Sequence, residues 1–196
     1  MAIEEPNYTV LSHIDDFELR HYDAQLVAQI WVSGDRDTAS RQGFKILADY
    51  IFGNNTASSG ESSKISMTAP VTMQSDNQHQ GMSQKISMTA PVSMQQDEDK
   101  WRVQFAMPSK YTMQTLPKPK NPDVKILQVP AQTYGVIKFS GLAGSKKVAK
   151  KTEMLNSWMQ NQQLMVVGTP ELARYNPPWT LPFMRRNEVL IAYQPK

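Results

Sequence analysis

Residues 20–34 read RHYDAQLVAQIWVSG, and residues 127–141 read LQVPAQTYGVIKFSG. Superposed without a gap at an offset of 107, the two stretches agree at Ala24/Ala131, Gln25/Gln132, Ile30/Ile137, Ser33/Ser140 and Gly34/Gly141. A helical pattern follows each of them. After the first, Ala39, Gly43, Ile46, Leu47, Tyr50 and Ile51 form a stripe at helical spacing over about 37–52. Asp35 or Asp37 caps its start and Gly53 stops it. After the second, Val148, Leu155, Trp158, Met159 and Gln162 share one face of a helix over about 145–164, with lysines opposite. Each half therefore reads strand, strand, helix, then strands. The expected fold is α+β, with pseudo-twofold duplicated βαββ-type halves of about 7–115 and 123–193, joined through LPKPKNPD at 116–123. Together they make one domain over 1–196, a distorted antiparallel β-barrel with two flanking helices.

A second repeat is local. KISMTAPVTM at 64–73 recurs as KISMTAPVSM at 85–94, with only Thr72 exchanged for Ser93. Ile65, Met67, Ala69, Val71 and Met73 alternate with polar residues, which predicts a half-buried strand over the whole phrase. Pro70 and Pro91 have no N–H for a ladder, so each marks a sheet edge or a bulge. QSDNQHQGMSQ between the copies suits a hairpin loop, and WRVQFAM at 101–107 alternates again. Residues 64–107 are thus expected to form an antiparallel meander. The offset of 21 is a copied strand, inserted in the first half at about 74–95 and adding a hairpin beside the barrel.

Composition excludes several classes. The chain has no cysteine, which removes disulfides, thiolate metal sites and cysteine nucleophiles. Its three histidines, His13, His21 and His79, have no metal-ligand spacing. A net charge of +3 argues against nucleic acid, and Lys146, Lys147, Lys150 and Lys151 read as a solvated helix face. No apolar run reaches a membrane span. MAIEEPNY lacks the basic and apolar regions of an export signal, which points to the cytoplasm as written. If Met1 replaces a removed signal peptide, the alternative is the periplasm.

FELRHY at 17–22, GFKILADYIFGNN at 43–55, KISMTAPV, WRVQFAMPSKYTMQTLPKP at 101–119, IKFSG at 137–141 and GTPELARYNPPWTLPFMRRNEVLI at 168–191 carry a resemblance. In this order, and over essentially all of 7–193, they resemble the SOUL/haem-binding protein family, in particular its bacterial members with a doubled KIxMTAPV segment. The resemblance implies a distorted barrel of two βαββ-like halves and non-catalytic binding of haem or a related tetrapyrrole in a hydrophobic cleft, for carriage or buffering. Carried over residue by residue, it places a binding surface on the first helix, at Arg41, Phe44, Lys45 and Ala48. The rest of that surface lies on the loop 176–187, at Trp179, Leu181, Phe183 and Arg185. Asp49 and the Thr180–Leu181 pair stand where a relative has basic residues. His21, in the RHY context of another relative, is a candidate axial ligand to haem iron. Phe17 and Leu19 share its strand face, and Glu18, Arg20 and Tyr22 share the other.

Three rival readings start from the residues. Met67, Met73, Met88 and Met94 carry thioethers that favour Cu(I), but alternation already explains them as core. Glu188 is a carboxylate that would serve a small-molecule hydrolase, although no nucleophile accompanies it. GLAGS at 141–145 lacks the phosphate-loop spacing and reads as a turn and helix cap. The expectation is a tetrapyrrole binder without catalytic residues and without a metal beyond haem iron. The alternatives are a module for another flat hydrophobic effector, or that hydrolase.

Overall fold

A computed structural model describes residues 4–75, 100–176 and 179–195. The elements run β1 (Tyr8–Ile14), β2 (Phe17–Tyr22), β3 (Gln25–Ser33), α1 (Arg36–Phe52), β4 (Asn55–Thr56), β5 (Val71–Ser75) and β6 (Lys100–Ala106). Then come β7 (Lys118–Pro119), β8 (Lys125–Val129), β9 (Gln132–Ser140), α2 (Ser145–Asn161), β10 (Met165–Val166), β11 (Glu171–Arg174) and β12 (Arg186–Gln194). The fold is α+β: two helices pack on a curled antiparallel sheet. The two stretches of the long repeat become β3 and β9, strands of equal length that begin 107 positions apart. Each ends at a glycine with positive φ, Gly34 (113°) and Gly141 (92°), where a side chain would be strained.

Neighbours in the main sheet run β1-β2-β9-β12-β11-β5-β6-β3-β8, with β10 also on β12. The halves exchange strands. β2 precedes β3 in the chain but pairs with β9, and β8 precedes β9 but pairs with β3. That exchange curls the sheet. β2 and β3 lie toward opposite ends of the strand order, yet only Asp23 and Ala24 connect them. Three Cα–Cα steps span at most about 11 Å. Pro130 and Ala131 tie β8 to β9 in the same way. Two short stitches, rather than a closing ladder, bring the sheet's ends together and give it an inner face.

The helices cover the outer face. α1 is capped by Asp35, whose carboxylate accepts from the Asp37 and Thr38 amides, and it ends at Gly53 (φ 131°). Its Leu47, Tyr50 and Ile51 pack with Ile30, Val103 and Phe105. α2 begins at Ser145 as expected but ends at Asn161, so Gln162 is an exposed cap residue. Its Leu155 and Met159 pack with Ile137, Val189 and Ile191, and with Phe17 and Leu19 at the margin.

The first KISMTAPV copy departs from the expected ten-residue strand. Only Val71–Ser75 is strand, paired with β6 on one side and β11 on the other. Upstream of Pro70 the backbone bonds elsewhere. The Ile65 amide donates to the Ile51 carbonyl of α1, and the Ala69 amide to the Glu4 carbonyl. The Thr68 hydroxyl donates to the Ala106 carbonyl. The alternation is real in part, with Ile65, Ala69 and Met73 buried, but the buried Thr68 and Pro70 break it. The second copy, with Met88, Met94 and the expected inserted hairpin, lies outside the described residues.

Candidate functional site

β2 presents the face that its sequence makes look least like a core. Glu18, Arg20 and Tyr22 are buried on the inner face, and Phe17, Leu19 and His21 are half-buried on the outer. Arg20, fully buried, sends Nε to Glu18 Oε2 (2.6 Å) and Nη1 to the Tyr22 hydroxyl (2.8 Å). Nη1 and Nη2 also reach Glu188 Oε2 (2.8 Å) and Oε1 (3.0 Å). Glu188 takes two more donors, the Tyr175 hydroxyl (2.7 Å) and Arg186 Nε (2.9 Å). Lys138 pairs with Glu18, and Glu5 with Arg186. The Arg186 guanidinium lies 3.7 Å over the Tyr175 ring.

The carboxylates of this network are fully engaged, while one donor, Arg186 Nη2, is buried without a partner among the described residues. Burial works against the Glu188 carboxylate, but Arg20, Tyr175 and Arg186 overcome it and hold its pKa below the ordinary 4.5. Burial likewise opposes the Arg20 charge, and Glu188 more than offsets it, so its pKa rises. Tyr22 is pushed up to about 12, by burial first. A general base needs an accessible lone pair and a pKa near the working pH. Glu188 is inaccessible, receives four donors and is held low.

On the outer side a second constellation forms where α1 begins, α2 begins and β11 meets β12. Arg36, in the first turn of α1, donates Nη2 to the Ala143 carbonyl (2.9 Å), two residues before α2. Two helix N-termini, each with a partial positive charge, therefore adjoin. Arg174, at the end of β11, donates Nη1 to Ser40 Oγ on α1 (3.3 Å). The Nε atoms of Arg36 and Arg174 are buried without a partner. The Arg174 pKa is lowered by burial and then by the Arg36 charge, with Arg185 adding to it and Asp37 opposing. Arg36 also pairs with Asp37 at 3.3 Å, whereas Arg174 meets no carboxylate at ion-pair distance among the described residues. Beside it runs the β11–β12 loop, held by the Tyr175 amide on the Arg186 carbonyl (3.2 Å) and the Arg186 amide on Asn176 Oδ1 (2.6 Å). A 3-10 turn at Pro182–Met184 stiffens it. On this loop Trp179 is 81% exposed, Leu181 55%, Phe183 72% and Met184 62%. Four large apolar groups are thus exposed on one short loop, a concentration that fits a binding surface.

The residues expected from the resemblance divide accordingly. Trp179, Leu181 and Phe183 share the exposed loop, and Arg185 donates Nε to the Thr180 carbonyl (2.7 Å). Arg41, the residue after the Arg174 contact at Ser40, and Lys45, a little over a turn further on, are exposed on α1. Phe44 is half turned inward, edge-on to Phe105 at 5.5 Å. Ala48 is buried in the core and offers a ligand no surface. His21 is set apart from the loop. It pairs with Thr133 at the start of β9, whereas Arg186 pairs with Ser140 at its end. Seven residues of strand separate those ends, about 23 Å, so His21 and the loop do not converge on one ring. Among the described residues no group of three His, Asp or Glu has the arrangement of a metal site, and no helix is long and apolar enough to cross a membrane. Sequence reading passed over Arg36, Arg174 and the Arg20–Glu188 network. ELARYNPP, with an arginine and a tyrosine at the end of a strand, was the available signal for two of them.

The chain belongs to the SOUL family: the profile described as SOUL heme-binding protein matches residues 3–83 and again 74–192. The first match takes in one KISMTAPV copy and the second takes in the other, as expected for a family fold entered twice by a doubled segment. No curated protein is significantly similar. Among solved structures, the C-terminal domain of EcmrR superposes with a TM-score of 0.61 at 10% identity, covering 96% of this chain and 99% of that one. A structure titled as a hydrolase from Listeria innocua superposes at 0.58 with 10% identity, covering 94% of each chain. These likenesses establish the fold alone.

Proposed function

We propose that the protein binds haem or a related tetrapyrrole without catalysing its conversion, for carriage or buffering, against the β11–β12 loop. The observation that carries this reading is the meeting of an exposed apolar loop with an arginine cluster in which Arg174 has no carboxylate partner among the described residues. A porphyrin is a flat apolar plate with carboxylates at one edge. Trp179, Leu181 and Phe183 offer the plate a surface, and Arg36, Arg174 and Arg185, at two helix N-termini, suit the propionates. Family membership supports the ligand class. His21 lies too far along β9 to ligate iron in that pose. The pose therefore calls for a ring-shaped contact rather than a coordination site. The hydrolase reading finds no support in Glu188, whose lone pairs are taken.

Parallel titrations with hemin and metal-free protoporphyrin, read by Soret absorbance and tryptophan quenching, test the proposal. Both ligands are expected to bind with similar affinity. Phe183→Ala and Arg174→Gln should weaken both, and His21→Ala should leave both unchanged. Wild-type affinity in the two loop-side variants would overturn the site, and loss of hemin binding in His21→Ala would overturn the pose.

A further inference from the structure

We infer a second binding site, a half-open cleft on the inner face of the sheet, for a flat uncharged small molecule that carries N–H or O–H donors. A cavity of about 490 Å³ lies between the two half-sheets, within the range of small-molecule sites. Three buried side-chain oxygens on its wall have no hydrogen-bond partner: Gln25 Oε1, Thr72 Oγ1 and Gln104 Oε1. They arise from β3, β5 and β6, and Thr72 stands directly opposite Gln104 in the β5–β6 register. Buried polar atoms are nearly always satisfied, and each exception costs stability. Three in one cavity, two of them pure acceptors, describe a wall made to receive donors.

Charge narrows the ligand. Among the described residues the charged side chains on this wall are Arg102 and Glu171, which pair with each other at 3.0 Å. The nearby Glu188 is neutralised by Arg20 and Arg186. The cavity therefore holds no excess charge with which to recognise an ion. Its apolar surfaces suit a flat ring: the Tyr22 and Tyr134 rings meet edge to face at 5.5 Å, and Val27 and Leu190 line the same space. This site is independent of the loop surface. It lies inside the sheet, whereas the loop projects beyond the Ser140 end of β9.

The test uses lumichrome, a flat uncharged tricycle with ring N–H donors, beside its 1,3-dimethyl derivative, in which those donors are blocked. Fluorescence titration of the full chain should show saturable lumichrome binding, with the dimethyl compound at least about tenfold weaker, the loss of one good hydrogen bond. Gln104→Leu and Gln25→Leu should each weaken lumichrome by about tenfold and raise the melting temperature of the free protein, because each removes an unsatisfied oxygen. Thr72→Val is the third variant, should either leucine variant fail to fold. Phe183→Ala should leave lumichrome binding unchanged while weakening hemin, which separates the two sites. The inference is overturned by absent or equal binding of the two dyes. It is also overturned if the leucine variants melt lower, for then structural water satisfies these oxygens.

Discussion

Deleting Gln74–Gln95 removes one copy of the repeated phrase and joins Met73 to Gln96. In the structure β5 lies between β6 and β11, and both its edges are already paired. No central place is open for a second copy, and the deletion rebuilds the first. Gln96 takes the place of Gln74, opposite Arg102 and beside Thr169, and Asp97 takes that of Ser75, opposite Trp101. The connection closing that pair shrinks from 25 residues (76–100) to three (98–100). Loop closure scales as (3/2)RT ln n, so the shorter loop gains up to about 2 kcal/mol, less whatever strain a tight hairpin adds. For a chain of this size that raises the melting temperature by roughly 4–8 °C. Thermal and urea unfolding, each followed by circular dichroism and tryptophan fluorescence, measure it. One cooperative transition at or above the parent's midpoint is expected. Non-coincident transitions, or a midpoint several degrees lower, would refute the argument by showing that the deleted residues hold part of the sheet together.

Three further outcomes follow from the packing. Arg20→Leu leaves Glu188 and Glu18 buried with fewer donors and should cost about 3–5 kcal/mol in urea unfolding, the usual result of breaking one side of a buried ion pair. Glu188 has a folded-state pKa below its unfolded value, so its contribution is complete above about pH 4.5 and is lost as pH falls through the lower folded value. A stability–pH profile of the parent should therefore drop below pH 4.5, and Glu188→Gln, though less stable at pH 7, should show a shallower drop. Gly43→Ala should destabilise by about 1–3 kcal/mol despite alanine's helix propensity, because the added Cβ would stand 2.6 Å from Val103 Cγ2. A melting temperature at or above the parent's would contradict that close approach.

What could be read without coordinates was local. The offset of 107 located β3 and β9, their glycine ends and the helix after each, because strand alternation, a capping aspartate and a C-terminal glycine act within a few residues. The apolar loop around Trp179 was legible for the same reason. The meander expected over 64–107 was not borne out for the first copy, since β5 has β6 on one edge and β11 on the other and does not form a hairpin with the second copy. The extent of β5 was not legible either. Alternation over Lys64–Met73 says that side chains point two ways, but the carbonyls of Ile51 and Glu4 decide where the backbone leaves the ladder. The exchange of β2 and β8 between halves was likewise beyond reach, since strand pairing is made by hydrogen bonds between segments far apart in the chain. That exchange is what makes FELRHY deceptive. By composition Phe17 and Leu19 look like its inner residues and Glu18 and Arg20 its outer ones. In the folded chain Glu188, 168 residues from Arg20, together with Tyr175 and Arg186, turns the polar face into the interior. Periodicity decides that a strand has two faces. Which face is the core depends on the partners that arrive from elsewhere, and only the tertiary structure supplies them.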